Sequence, residues 1–153
     1  MAAPMACPGG DYDAYADEYA PNVTWRERGG AEDDPFGILP ALLDLLGDLT
    51  DKGVLDAGCG EGYLARVLAA RGARVTGIDI SPRLIQQARK KDPGGIIDYL
   101  TADLSQPRPG QADPFDAVAS YLVLNDGPDY RGFARTIVVR PSAHQAGGPA
   151  CPG

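Results

Sequence analysis

The stretch VLDAGCGEGYLARVLAARGARVTGIDIS, from Val54 to Ser81, decides how this chain is read. A short apolar run reaches Asp56 and then turns through Gly58, Gly60 and Gly62, where any Cβ would block a ligand from the backbone. Beyond the glycines, Leu64, Val67 and Leu68 recur at helical spacing, which predicts a helix over 63–71 whose free N–H groups face the turn. A second apolar run predicts a strand over 74–80, with Asp79 near its end, 21 residues after Gly58. A carboxylate there accepts both hydroxyls of a ribose. The glycine turn and the acid together define a nucleoside site.

The alternation continues outward in both directions. Ser81-Pro82 supplies an N-cap and a first-turn proline for a helix to Lys91, with Leu84, Ile85 and Ala88 as its buried face. A third strand is predicted over 96–101, a Pro/Gly-rich connection over 102–114 and a fourth strand over 115–120. After Asp126-Gly127-Pro128, residues Tyr130, Phe133, Ala134, Ile137 and Val138 predict a last helix, ending before Pro141. On the N-terminal side a strand over 53–57 follows a helix over 36–49, whose wide apolar face carries Ile38, Leu39, Leu42, Leu43, Leu45, Leu46 and Leu49. Residues 22–35 have no period and read as loop. Tyr12, Tyr15, Ala16 and Tyr19 form one stripe on a short leading helix that Pro21 ends, and the stripe is expected to pack on the domain. This order predicts an α/β fold, an open parallel sheet wound by right-handed crossovers. Ligands of such sheets lie beyond the carboxyl ends of the strands, which puts 56–62, Asp79 and Ser120 on one rim.

Length and charge narrow the function. A chain of 153 residues, 44% hydrophobic and 23% charged, suits one globular domain. Its net charge of −7 is uneven: residues 1–56 hold 12 acids and 3 bases, 57–129 hold 9 and 8, and 130–153 hold only 3 bases. Nucleic acid and anionic membrane are poor partners for a surface with no broad basic face. No apolar run approaches the roughly 18 residues of a membrane span, and MAAPMACPGG lacks the basic start and apolar core of a leader, so a cytoplasmic protein is expected. Cys7, Cys59 and Cys151 are odd in number and far apart, with His144 the single imidazole, so neither a metal site nor a disulfide is predicted. His144 stands in a Pro/Gly/Ala-rich tail, which argues against a histidine-based catalyst.

A nicotinamide site also pairs a glycine turn with an acid about 20 residues on. Two residues decide against it. Counting the fingerprint from Gly58 puts Tyr63 where the third glycine belongs, and Asp56 would set a negative charge where a pyrophosphate lies. A ligand bearing an ammonium group suits Asp56 better.

The chain resembles the class I S-adenosylmethionine-dependent methyltransferases, in particular the small-molecule branch with the type 11 domain. The resemblance spans about residues 12–137 and rests on VLDAGCGEG, then GIDIS, YLTADLS and FDAVASYLVLND in that order. It implies S-adenosylmethionine as cofactor and methyl transfer to a small-molecule acceptor. By the same resemblance Asp56, Gly58, Cys59, Gly60 and Gly62 hold the methionine part and Asp79 the ribose. Ile80 packs on the adenine face, Asp103 and Leu104 read the adenine edge, and Ser120 and Tyr121 lie near the sulfonium. Tyr12, Tyr15, Tyr19 and Trp25 are candidates to line the substrate or face the cationic sulfur. No catalytic base is assigned; any base would be a carboxylate or a tyrosine.

Plainer readings stand beside these. Asp79 also suits a helix cap, Asp103 a side-chain turn, Cys59 a small apolar filler, and Tyr121 and Asn125 ordinary loop positions. A non-catalytic module holding the cofactor or its product for a partner is the alternative function. The family pattern fails after Ile137: RPSAHQAGGPACPG, from Arg140 to Gly153, has no Val, Ile, Leu, Met or aromatic residue and cannot make a buried strand. The expected organisation is an N-terminal segment over 1–35, a cofactor-binding domain over 36–139 with the family's C-terminal strands missing, and a Pro/Gly-rich tail over 140–153. That break resembles a truncated or frame-shifted reading frame. It would leave the fourth strand as an edge open to self-association.

Overall fold

A computed structural model of the chain describes residues 12–14, 16–17, 38–106, 115–121 and 129–136. The expectations for Cys7, Tyr15, Tyr19, Trp25, Asn125, Ile137, Val138, His144 and Cys151, and for the 140–153 tail, lie outside the described residues. The elements are α1 (Ile38–Leu46), β1 (Gly53–Ala57), α2 (Tyr63–Ala69), β2 (Arg74–Asp79), α3 (Pro82–Lys91), β3 (Asp98–Thr101), β4 (Ala117–Ala119) and α4 (Tyr130–Thr136).

The four strands form one parallel sheet in the order β3-β2-β1-β4. Asp56 lies opposite Gly77 of β2 and Ala119 of β4, so the chain winds outward from β1 in both directions. That reversal is a topological switch point, and in open sheets of this kind ligands bind there, outside the carboxyl ends of the strands.

Side chains alternate across the sheet with period two. Val54 and Val75 face the larger core, with Leu39 and Leu43 of α1, Leu64 and Leu68 of α2, and Ile85 and Ala88 of α3. Leu55, Ala57 and Ile78 face the other side, against Leu104 and Phe133 of α4. Both faces of β1 are thus covered, which is why its residues from Val54 to Ala57 are all buried.

Several predicted boundaries shift for local reasons. α1 stops at Leu46 rather than 49 because Gly47 adopts φ +65° and its N–H closes on Leu43 O at 3.1 Å, a left-handed helix stop. The expected wide apolar face is narrower: Leu39 and Leu43 are buried, while Leu45 is 87% exposed. β3 starts at Asp98, not 96; the Ile97 N–H is taken by Asp92 Oδ2 at 3.0 Å, and Ile96 is 71% exposed. β4 is trimmed to three residues, Asp116 just before it accepting from the Gly53 N–H at 2.8 Å. Ala16, from the predicted aromatic stripe, is fully buried, and Gln87 Nε2 of α3 donates to its carbonyl at 3.0 Å.

Candidate functional site

Gly58, Gly60 and Gly62 all take positive φ, at 80°, 54° and 83°, a backbone that L side chains rarely adopt. The turn they form is tied to β2. The N–H groups of Gly58 and Cys59 both donate to Ile78 O, at 2.7 and 2.9 Å, and the Gly60 N–H donates to Asp79 Oδ2 at 2.9 Å.

The glycines differ in surroundings. A Cβ on Gly60 would meet nothing within 4 Å, so this part of the turn borders open space. A Cβ on Gly62 would collide with the Tyr99 hydroxyl and come within 3.1 Å of Ala88 Cβ. Gly62 therefore lets the start of α2 press against β3 and α3. Cys59 contributes its backbone to the turn and its side chain to the larger core, where the thiol titrates upward through burial.

Asp79 bridges the rim. Its Oδ1 accepts from the Ser81 N–H at 2.9 Å while Oδ2 holds Gly60, and its backbone carbonyl accepts from the Ala102 N–H at 3.0 Å. Burial raises its pKa, and the N–H groups of Ser81, Gly60 and Ile80 oppose the rise. Ile80 is half-buried beside it.

Asp56 is 1% exposed, and its Oδ2 has no hydrogen-bond partner among the described residues. Burial pushes its carboxyl up to about 7; the Ala65 N–H in the first turn of α2 opposes this, while Asp79 and Glu61 add to it. Burial therefore opposes the full negative charge that the sequence suggests at Asp56, and a cation or hydrogen-bond donor at Oδ2 would favour it. On the neighbouring strand end, Ser120 Oγ is likewise buried without a partner among the described residues. Two unsatisfied polar groups at adjacent strand ends fit a ligand that brings hydrogen-bond donors.

Past β3, Asp103 Oδ1 accepts from the N–H and hydroxyl of Ser105, at 2.8 and 2.7 Å, so it does start a side-chain turn; Oδ2 takes no part in that turn. Leu104 is buried in the smaller core with Ile78 and Phe133. Tyr121 is half-buried and packs against the larger core. Hydrogen bonds thus join the turn, Asp79 and Ser81 directly, while Ser120 and Asp103 flank them at the ends of neighbouring strands.

Two features escape a sequence reading. Glu61, inside the turn, is 3% exposed and paired with Arg66 at 3.1 Å and Lys91 at 3.2 Å. Asp13 reaches Ser81 from 68 positions away. Neither pairing leaves a local spacing signal. Among the described residues there is no metal-binding cluster of His, Cys, Asp or Glu.

Known proteins share both this sequence pattern and this fold. Residues 55–140 match a family described as a methyltransferase domain. A ubiquinone biosynthesis O-methyltransferase of Xylella fastidiosa is 36% identical over 110 residues, covering 69% of this chain and 45% of its own length. A solved S-adenosylmethionine dependent methyltransferase from Mesorhizobium loti superposes with TM-score 0.58 at 34% identity, covering 71% of this chain and 48% of that one. The magnesium protoporphyrin IX methyltransferase of Synechocystis, solved with bound SAH, gives TM-score 0.53 at 26% identity, covering 74% and 57%. The chain spans about half the length of the curated relatives it matches. The family match covers more than half of this chain and includes the glycine turn, Asp79 and the rim of β4, and on that ground the chain belongs to the methyltransferase-domain family.

Proposed function

We propose that this chain binds S-adenosylmethionine at the carboxyl ends of β1, β2 and β4, as the cofactor-holding part of an enzyme that methylates an oxygen of a small molecule. The observation that carries the reading is the Asp79 carboxylate held on the Gly60 N–H, with Asp56 Oδ2 and Ser120 Oγ, which have no hydrogen-bond partner among the described residues, on the adjoining strand ends. Similarity to relatives named O-methyltransferases supports the acceptor class.

Each residue has a role in this reading. Asp79 accepts from the ribose hydroxyls with the lone pairs that Gly60 and Ser81 leave, and Asp56 and Ser120 take the donors of the methionine end. Gly58 and Gly60 keep the backbone bare beneath it, with Cys59 and Gly62 shaping the turn. Ile80 offers an apolar face to the adenine, Asp103 Oδ2 accepts from its amino group, Leu104 backs that contact from the core, and Tyr121 borders the reacting end. When bound, the cofactor supplies a methyl group activated on a sulfonium. The chain's contribution is alignment, worth roughly 7–11 kcal/mol in favourable intramolecular models; a dedicated base is optional, and one that takes the proton of a hydroxyl acceptor would be a carboxylate or a tyrosine.

The binding unit in this reading is residues 36–139, and we place it in the cytoplasm. No helix among the described residues is long and apolar enough to cross a membrane. Self-association runs along the outer edge of β4, which pairs with no further strand among the described residues. Sedimentation velocity tests that part.

Isothermal titration of the full chain with S-adenosylmethionine and with S-adenosylhomocysteine tests the core of the proposal. One-to-one binding of both is expected; no heat from a chain that is folded by circular dichroism overturns it. A mass-spectrometric screen of phenols and carboxylic acids, with amines as the contrast, then tests the acceptor.

A further inference from the structure

We propose that Asp13 is a positioning residue for the nucleoside carboxylate Asp79, acting through Ser81, so that the N-terminal segment straps the cofactor rim. The inference rests on the reading of Asp79 given above and adds a residue that lies outside residues 55–140, the range matched to the methyltransferase-domain family.

Ser81 is buried and held from two sides. Its N–H donates to Asp79 Oδ1 at 2.9 Å, and its hydroxyl donates to Asp13 Oδ1 at 2.8 Å. The same hydroxyl oxygen accepts from the Leu84 N–H at 3.2 Å, capping α3, a helix of ten residues. Asp13 Oδ1 also accepts from the Arg83 N–H at 3.1 Å, so one carboxylate satisfies a second free amide of the first turn and sits at the positive end of the helix.

The strap is fastened at further points. Arg83 Nη1 donates to Asp13 O at 2.9 Å, Arg83 Nη2 pairs with Asp17, and Gln87 Nε2 donates to Ala16 O at 3.0 Å. Ala16 is fully buried beneath these contacts. The bonds therefore run Gly60, Asp79, Ser81, Asp13 without a break, from the glycine turn to a segment far away in sequence. Without Asp13 the Ser81 hydroxyl is free to turn and the Arg83 amide loses its acceptor, which loosens the backbone that presents Asp79. By linkage, a nucleoside held on Asp79 must in turn tighten the docking of residues 12–14, 16 and 17.

The test compares the wild-type full chain with Asp13→Ala and Asp13→Asn by titration with S-adenosylhomocysteine, and repeats Asp13→Ala in an Asp79→Asn background. Asp13→Ala is expected to weaken binding about three- to tenfold, a coupling typical of groups in one network. Asp13→Asn, whose Oδ1 still accepts both bonds, should recover most of that loss. In the Asp79→Asn background Asp13→Ala should cost nothing more, an outcome that a merely structural role does not produce. Hydrogen exchange on the wild type adds a readout independent of any variant's folding: the ligand should slow the Arg83 amide and those of residues 12–14, 16 and 17.

An unchanged dissociation constant for folded Asp13→Ala, an undiminished effect with Asp79→Asn, or no slowing of exchange overturns the strap and leaves the proposed function standing. Failure of the wild-type chain to bind S-adenosylhomocysteine overturns both.

Discussion

Asp79 Oδ2 accepts a hydrogen bond from the Gly60 N–H at 2.9 Å, so one carboxylate at the end of β2 braces the glycine turn that leaves β1. The brace orients the turn before any ligand arrives. On the proposed reading Asp79 would also hold the ribose, so a substitution there would remove both tasks together.

Asp79→Ala is expected to weaken S-adenosylmethionine binding by about 1.5–3 kcal/mol, the range for hydrogen bonds that involve a charged group. Titration calorimetry measures the loss, and circular dichroism checks the fold. An unchanged affinity in a folded variant would remove the ribose role.

Gly60→Ala and Gly62→Ala should part ways. Both pay for a positive φ, a strain of about 1–2 kcal/mol for a residue with a Cβ. Gly62→Ala adds a collision with Tyr99 and a tight contact with Ala88, so its thermal midpoint should fall much further. Gly60→Ala meets open space and should stay folded, yet, on the proposed reading, lose affinity because its methyl would enter the volume assigned to the ligand. Melting curves with and without ligand separate the two: Gly60→Ala should lose much of the stabilisation that binding confers, while Gly62→Ala should melt lower yet keep it in the protein that remains folded.

Asp56 makes the ligand-free chain sensitive to pH in an uncommon direction. Its folded-state pKa, about 7, lies above the ordinary 3.8, so the folded form holds the proton more tightly than the unfolded form. Stability from this group is therefore greatest below about pH 4 and is lost as pH rises to about 7. Asp79, also raised by burial, acts in the same direction. Asp56→Asn keeps an acceptor for the Ala65 N–H and removes the charge. Its advantage over wild type in urea unfolding should grow between about pH 5 and about pH 8, on the order of a few kcal/mol. Equal pH slopes for the two proteins would contradict this.

Glu61→Gln should destabilise the fold by about 1–3 kcal/mol. The carboxylate is buried, but Arg66 and Lys91 keep about a quarter of their side chains in water, which softens the loss of the ion pairs. The urea midpoint reads the effect. Raising salt should shrink the difference between variant and wild type only slightly, because the shared carboxylate is shielded from solvent.

The strands, the helices and the glycine turn were legible from residue order because each is a local pattern. Val54, Leu55 and Ala57 make a buried strand by composition, Leu84, Ile85 and Ala88 share a helix face, and Gly58 to Asp79 is a spacing counted along one strand-helix-strand unit. Their backbone preferences and periods act over a few residues, and the structure follows them to within a few positions.

Only the tertiary structure decided what those residues do to one another. It made Gly62 a packing glycine and left Gly60 facing open space, although both have positive φ and lie two positions apart. It buried Glu61 between Arg66 and Lys91, withdrew Asp56 from water far enough to move its titration, and brought Asp13 to Ser81. Desolvation, ion pairing and steric clash depend on distances between atoms that the fold brings together. A chain read in one dimension carries the residue types for such contacts; the packing of β1, β2 and α3 supplies the distances.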